Sequence, residues 1–302
     1  MSVETHRENT EIEQDVPVTE RKQPNDDESE QLVGKELVVG YPNAEEPVID
    51  DESIVVPEGD VTALIGPNGS GKSTLLKGIA RQISLESGTV LLNGRDAHEL
   101  DSKEFARKFG LLSQENMSPG SLSVEDLVYH GRYPHRGFFE SVTQADQEAV
   151  DRAISLAGVD HLRDRDVGSL SGGQKQLVWI AMVLAQETEI LLLDEPTTFL
   201  DIHHQLEVME IVEALRDHSD VTVVLVLHDI EQAARYADYL LALNEGSIHA
   251  RGRPAEVVTE ALLEEVFGIE ARVKENDGIR ITPVSPLHDD SIEASRQRAL
   301  RR

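Results

Sequence analysis

The chain has 302 residues, 39% of them hydrophobic, with 57 acidic against 28 basic side chains and a formal net charge of −29. Such a length allows two domains or one large domain with an insertion, while the charge argues against direct binding to nucleic acid phosphate. The lack of any Cys excludes disulfide frameworks, thiolate zinc sites and thiol nucleophiles.

No apolar run approaches the ~18 residues of a membrane span, and the opening MSVETHRENT has neither an apolar stretch nor a cleavage site, so no secretory signal is expected. Residues 1–34 hold ten acids and three bases and almost no apolar periodicity, which predicts a disordered acidic arm. The acidity continues beyond the arm, and only eight of the bases are Lys. A surface of that kind stays hydrated where salt screens self-repulsion, the Debye length being ~3 Å at 1 M. A halophilic host is the expectation.

From Lys35 the pattern changes. KELVVGY and SIVVP read as strands around a PNAEEP turn, and VTALI at 61–65 is a β-branched run that ends at a glycine loop and leads into the helical STLLKGIARQI. GTVLLNG and FGLLSQ are strand-like; QADQEAVDRAISLAG and GGQKQLVWIAMVLAQ have helical spacing, so the stretch from about 115 to 185 is mostly helical. EILLLDEP and VTVVLVLHD are apolar throughout, as strands buried on both faces of a parallel sheet are. A helix from Ile202 to about His218 lies between them, and a helix at 230–237 precedes the strands DYLLALN and GSIHA. This alternation predicts an α/β fold with a mostly parallel sheet covered on both faces. Beyond Gly268 the pattern weakens.

GPNGSGKST, residues 66–74, satisfies G-x-x-x-x-G-K-[ST] between a predicted strand and helix, a coincidence expected in about one chain of this length in a hundred. Gly66, Pro67, Asn68, Gly69, Ser70, Gly71, Lys72, Ser73 and Thr74 would wrap an anion. Backbone N–H groups and the helix N-terminus face the phosphates, Lys72 adds a point charge at the β/γ oxygens, and the Ser73 hydroxyl ligates Mg²⁺. Asp194 and Glu195 end the ILLL run at the edge where α/β sheets collect ligands. Asp194 would hold Mg²⁺, and Glu195 would orient and deprotonate the attacking water.

LSGGQ at 170–174, before a helix and between the phosphate loop and the DE-terminated strand, makes the chain resemble the ABC-transporter ATPases over roughly residues 35–268. The resemblance implies a P-loop NTPase fold of the ABC type, with a mostly parallel core sheet, an antiparallel β subdomain, the helical subdomain at about 115–185 and a C-terminal extension at 269–302. Tyr41 matches the adenine-stacking aromatic, Gln114 the Q-loop glutamine, Leu200 and Asp201 the D-loop, and His228 the switch histidine at the γ-phosphate. ATP and Mg²⁺ are the implied cofactors, with Ser73, Gln114 and Asp194 toward the metal and Glu195, His228, Lys72 and Gln114 in catalysis. Ser171, Gly172, Gly173 and Gln174 offer a second anion site that, in the family, closes on the γ-phosphate held by a partner copy in a head-to-tail dimer.

GRYPHRGFF, QKQLVWIAMVLAQE and PTTFLDIHHQLEV look like the ATPases of ferric siderophore, haem and vitamin B12 importers. That narrower resemblance implies separate permease subunits, indirectly a substrate-binding protein, and a peripheral place on the cytoplasmic side of the membrane; GRYPHRGFF would lie near the permease. Leu177 departs from the Arg of many relatives, at the cost of an ion pair on the helix surface. His203 and His204, being adjacent, make a poor metal pair and are read as helix surface. A soluble translation-factor ATPase would carry two P-loop cassettes and a DNA-repair ATPase a long coiled coil; neither is present. The cargo stays open between ferric siderophore, cobalamin, haem and other anions.

Overall fold

Apolar runs without polar interruption need partners on both faces, and the fold supplies them in two layers. The computed structural model describes residues 30–42, 44–114, 121–137, 140–276 and 278–287. In chain order its strands are β1 (Glu30–Val39), β2 (Ile49–Pro57), β3 (Val61–Ile65), β4 (Leu85–Leu92), β5 (Arg95–Asp96), β6 (Phe109–Leu112), β7 (Ile190–Leu193), β8 (Thr222–Val226), β9 (Tyr239–Asn244), β10 (Ser247–Gly252), β11 (Ile269–Lys274) and β12 (Arg280–Pro286). The helices are α1 (Lys72–Ile79), α2 (Ser102–Lys108), α3 (Val124–Tyr129), α4 (Gln144–Leu156), α5 (Gly172–Leu184), α6 (Ile202–His218), α7 (Ile230–Tyr236), α8 (Pro254–Val257) and α9 (Glu260–Glu265).

Six strands form one sheet in the order β10-β9-β3-β8-β7-β6, parallel except for the β10–β9 pair. Strand alternation divides its side chains between two cores. Ala63, Leu193, Leu225 and Ala242 meet the helices α3 to α7, whereas Leu64, Leu192, Val224 and Leu241 meet α1 and a second, antiparallel sheet ordered β2-β1-β4-β5. Both faces are dry, which explains why ILLL carries no polar position and TVVLV only Thr222 at its start, whose hydroxyl accepts from the Gly59 N–H at 2.7 Å. The C-terminal ends of β3, β6, β7 and β8 open on one edge, so the phosphate loop, Gln114, Asp194–Glu195 and His228 follow four parallel strands to the same place.

Three expectations change. β1 starts at Glu30 rather than Lys35, because Leu32 is fully buried between Val56 of β2 and Leu92 of β4. Pairing on both sides imposes a strand that local composition does not announce; residues 1–29 of the expected arm lie outside the described residues. Past Gly268, β11 and β12 form an antiparallel hairpin whose Ile279 and Ile281 pack on the helix-side core, and the Ile281 N–H donates to the Glu231 carboxylate of α7 at 2.5 Å. Leu177 is not on the surface of α5 but buried among apolar neighbours, so an ion pair has no room there.

The helices α3, α4 and α5 are tied by Arg132, from the GRYPHRGFF segment, whose Phe138 and Phe139 lie outside the described residues. Arg132 is buried; its Nε donates to Asp146 Oδ1 at 3.1 Å, and Nη1 donates to Ala185 O at 2.7 Å and Glu187 Oε2 at 2.8 Å. Burial alone would raise the Asp146 pKa, but the Thr143 N–H, the Thr143 hydroxyl and Arg132 outweigh it and bring the carboxyl from 3.8 to about 2. A depressed carboxyl stabilises the fold above its unfolded pKa and loses that contribution as pH falls through its folded one. At ~1.4 kcal/mol per unit this is worth roughly 2 kcal/mol at neutral pH. Asp146→Asn is expected to lose about that much at pH 7, with the gap to the parent closing between pH 4 and 2; chemical denaturation across that range measures it.

Candidate nucleotide site

The phosphate loop owes its shape to glycine. Gly71 caps α1 with φ +99°, and a Cβ on Gly66, at φ +146°, would come within 2.2 Å of the Leu243 carbonyl. The loop therefore lies against the β9–β10 side without side-chain bulk. Inside it the Lys72 ammonium donates to the carbonyls of Gly66 and Pro67, each at 2.9 Å. Burial pushes the Lys72 pKa below its ordinary value, and the negative charges of Glu195 and Asp194 work against that shift.

Ser73, on the first turn of α1, donates its hydroxyl to Asp194 Oδ1 at 2.6 Å. Asp194 is fully buried; among the described residues its Oδ2 accepts no hydrogen bond, and the Lys77 ammonium stands 3.6 Å from it. A hydroxyl and a carboxylate with an orphaned oxygen suit a hard cation, and Mg²⁺ characteristically takes one or two protein oxygens and leaves the rest of its shell to water and phosphate. Ser73 and Asp194 would hold it, and it would screen the charge on the phosphate oxygens. Gln114, the third residue expected at the metal, donates through Nε2 to Glu195 Oε2 at 2.7 Å; that bond does not use its amide oxygen, the atom that would face a cation.

Glu195 is the hub of the polar rim. Its Oε1 lies 2.8 Å from His228 Nε2, and its Oε2 also accepts from the Thr198 hydroxyl at 3.2 Å. Its backbone is left-handed at φ +53°, a conformation that costs a non-glycine residue of order 1 kcal/mol; the Thr198 N–H bonding back to the Glu195 carbonyl secures it. Thr198 thus belongs to the site although the sequence reading passed it over. Its only signal there was its place in PTT after the acidic pair. Tyr41 is half-exposed beside the loop, its hydroxyl 3.4 Å from Thr74 Oγ1.

An open cavity of about 630 Å³ is lined by Val48, Asn68, Gly69, Gly71, Lys72, Ser73, Thr74, Gln114, Glu195, Thr198, Phe199 and His228; Tyr41, Gly66, Pro67 and Asp194 are not among its lining residues. Ser70 sits behind it, its backbone carbonyl accepting from the Gly246 N–H at 3.1 Å. Ser171, Gly172, Gly173, Gln174 and Asp201 are not among its lining residues. Ser171 caps α5 in a box with Gln174, each side chain bonding the other's backbone N–H. Asp201 caps α6, and its carboxyl is held below the ordinary range by the His204 N–H and, next, by the His204 ring. Signature and D-loop thus face outward, where one cavity does not use them.

A family model described as ABC transporter matches residues 49–198. The ferric enterobactin transport ATP-binding protein of Escherichia coli (strain K12) is 46% identical over 257 residues, covering 85% of this chain and 94% of the relative. A cobalamin import ATP-binding protein of Halobacterium salinarum is 38% identical over 82% of this chain and 62% of its own length. Among solved structures, a metal-chelate type ABC transporter in an inward-facing conformation superposes with a TM-score of 0.72 at 28% identity, covering 87% of this chain and all of that one. A bacterial ABC transporter cassette solved as a dimer gives 0.66 at 26%, covering 74% and 98%. With the phosphate loop, the acidic pair and the signature in this order on this sheet, the chain belongs to the ATP-hydrolysing subunits of ABC transporters.

Proposed function

We propose that the chain hydrolyses ATP, with Mg²⁺, as a head-to-tail pair of copies that drives import of a ferric siderophore through separate permease subunits. The observation that carries the pairing is the division of the motifs: Lys72, Ser73, Gln114, Glu195 and His228 share one cavity, while the Ser171–Gln174 helix end points away from it. A second anion-binding helix end needs a second phosphate, and two copies related by a twofold axis satisfy both sites at once. The dimeric cassette supports this reading.

In the pocket, Lys72 and the loop N–H groups would bind the phosphates, Tyr41 would stack on the base, and Glu195 would accept the proton of the attacking water. His228 and Gln114, bonded to opposite oxygens of Glu195, fix the direction of its lone pairs. Loss of the γ-phosphate removes the charge that joins the two copies, so the pair opens, and the permease uses that motion.

The cargo is proposed from the 46% identity to a ferric enterobactin subunit and the likeness to a metal-chelate transporter; cobalamin is the second reading, from the Halobacterium salinarum relative. None of the described helices is long and apolar enough to cross a membrane, so the passage itself falls to the permeases, and this subunit would sit peripherally on the cytoplasmic side beneath them, with a binding protein delivering cargo from outside. The acidic, Lys-poor composition supports a high-salt host. A strain deleted for this chain should fail to grow with a ferric siderophore as the sole iron source and grow normally with cobalamin as the sole corrinoid. The reverse pattern would move the assignment to cobalamin.

A further inference from the structure

His204 departs from its expected place on the helix surface. Its side chain is 21% exposed against 78% for His203, and its ring sits against the signature: a Cβ added to Gly173 would come within 2.3 Å of Cγ and Cδ2 and 2.6 Å of Nδ1 of His204. The ring also meets the D-loop, where Nδ1 stands 2.9 Å from Asp201 Oδ1, and the same oxygen accepts the His204 backbone N–H at 3.0 Å. A carboxylate only accepts, so Nδ1 carries the proton. One imidazole therefore touches both outward-facing loops, and Gly173 is the residue that lets it sit there.

From this contact we infer that His204 is a positioning residue: it locks the phosphate-binding end of α5 to the Asp201 loop of the same copy, so that both meet the partner's nucleotide as one rigid surface. The inference rests on the paired-copy reading above. Next to Gly173, Gly172 has open space around it and Ser171 is exposed; the Ser171 N–H is taken by Gln174 in the capping box, whereas its hydroxyl only accepts there and keeps its proton for a ligand. Beside Asp201, Phe199 is 96% exposed and Ile202 76%, with Leu206 one turn further along the same helix also exposed. An apolar rim around outward polar loops is what a contact between copies requires. Binding groups on two separate loops must hold their spacing to within about 0.5 Å to act together, and no backbone hydrogen bond has to do this if the ring does.

The test uses the full chain carrying Glu195→Gln, in which turnover no longer obscures pairing. His204→Ala is expected to weaken ATP-dependent dimerisation, measured by analytical ultracentrifugation, at least tenfold. Affinity for a fluorescent ATP analogue in dilute monomer and the thermal unfolding midpoint should stay at the parent values, which separates loss of position from loss of fold. His204→Asn, with an amide nitrogen at the place of Nδ1, should recover most of the dimerisation, and His204→Phe, which keeps the ring on Gly173 but not the bond to Asp201, only part. An Ala variant that pairs as tightly as its parent overturns the role of His204 alone. A Glu195→Gln parent that fails to pair with ATP overturns the paired-copy reading and this inference with it.

Discussion

Replacing Glu195 with Gln should lower the ATPase kcat by about 10²–10⁴-fold, the usual worth of a positioned general base, while ATP still binds. Shape is nearly unchanged, but chemistry is not: the carboxylate accepts from Gln114 Nε2 at 2.7 Å and the Thr198 hydroxyl at 3.2 Å through one oxygen and meets His228 at 2.8 Å through the other. An amide has one accepting end, so its NH₂ must face either the Gln114–Thr198 donors or His228. With its NH₂ toward His228, whose Nε2 can accept in the other tautomer, the amide keeps both sides bonded; the variant loses the base without touching the phosphate loop. Nucleotide then persists uncleaved, and the paired form should accumulate in size-exclusion chromatography with ATP and not with ADP. Undiminished phosphate release would take Glu195 out of the proton-accepting role and leave His228 as the candidate.

The legible part of this site was the part that local sequence dictates. A phosphate loop is short, its glycines are needed for backbone reasons, and the strand and helix at its ends show their periodicity within about ten residues. The acidic pair was equally plain because a strand buried on both faces leaves no apolar position at its exit for anything but function. What stayed hidden depends on neighbours distant in sequence. β1 reaches back to Glu30 because β2 and β4 flank it, Thr198 joins the site because the chain turns left-handed at Glu195, and Arg132 is buried because Asp146 and Glu187 arrive from other segments. The same holds for His204: adjacency to His203 made it look like surface, whereas 31 residues away Gly173 had kept a place for its ring. Helical phase alone puts a residue on a face; only the packing of α5 on α6 says what the face meets.

Lys72→Ala should act on a different step, raising the ATP Kd by about 100-fold or more. Lys72 is 4% exposed and its ammonium donates to the Gly66 and Pro67 carbonyls at 2.9 Å, so the loop itself holds the cation in place. Exchange of those carbonyls for phosphate oxygens sets the cation against an anion in place of neutral acceptors, and a hundredfold loss of affinity corresponds to about 2.7 kcal/mol of that lost attraction. The change is readable without turnover. ATP at 100 times the parent Kd stabilises the parent by ~2.7 kcal/mol, and the same concentration stabilises a variant 100-fold weaker by only ~0.4 kcal/mol. Thermal unfolding should therefore show an ATP-dependent rise in the parent that nearly vanishes in Lys72→Ala, with both proteins melting alike when no nucleotide is present. Equal ATP-dependent rises would mean that the phosphates are gripped by the loop N–H groups and the α1 N-terminus without Lys72.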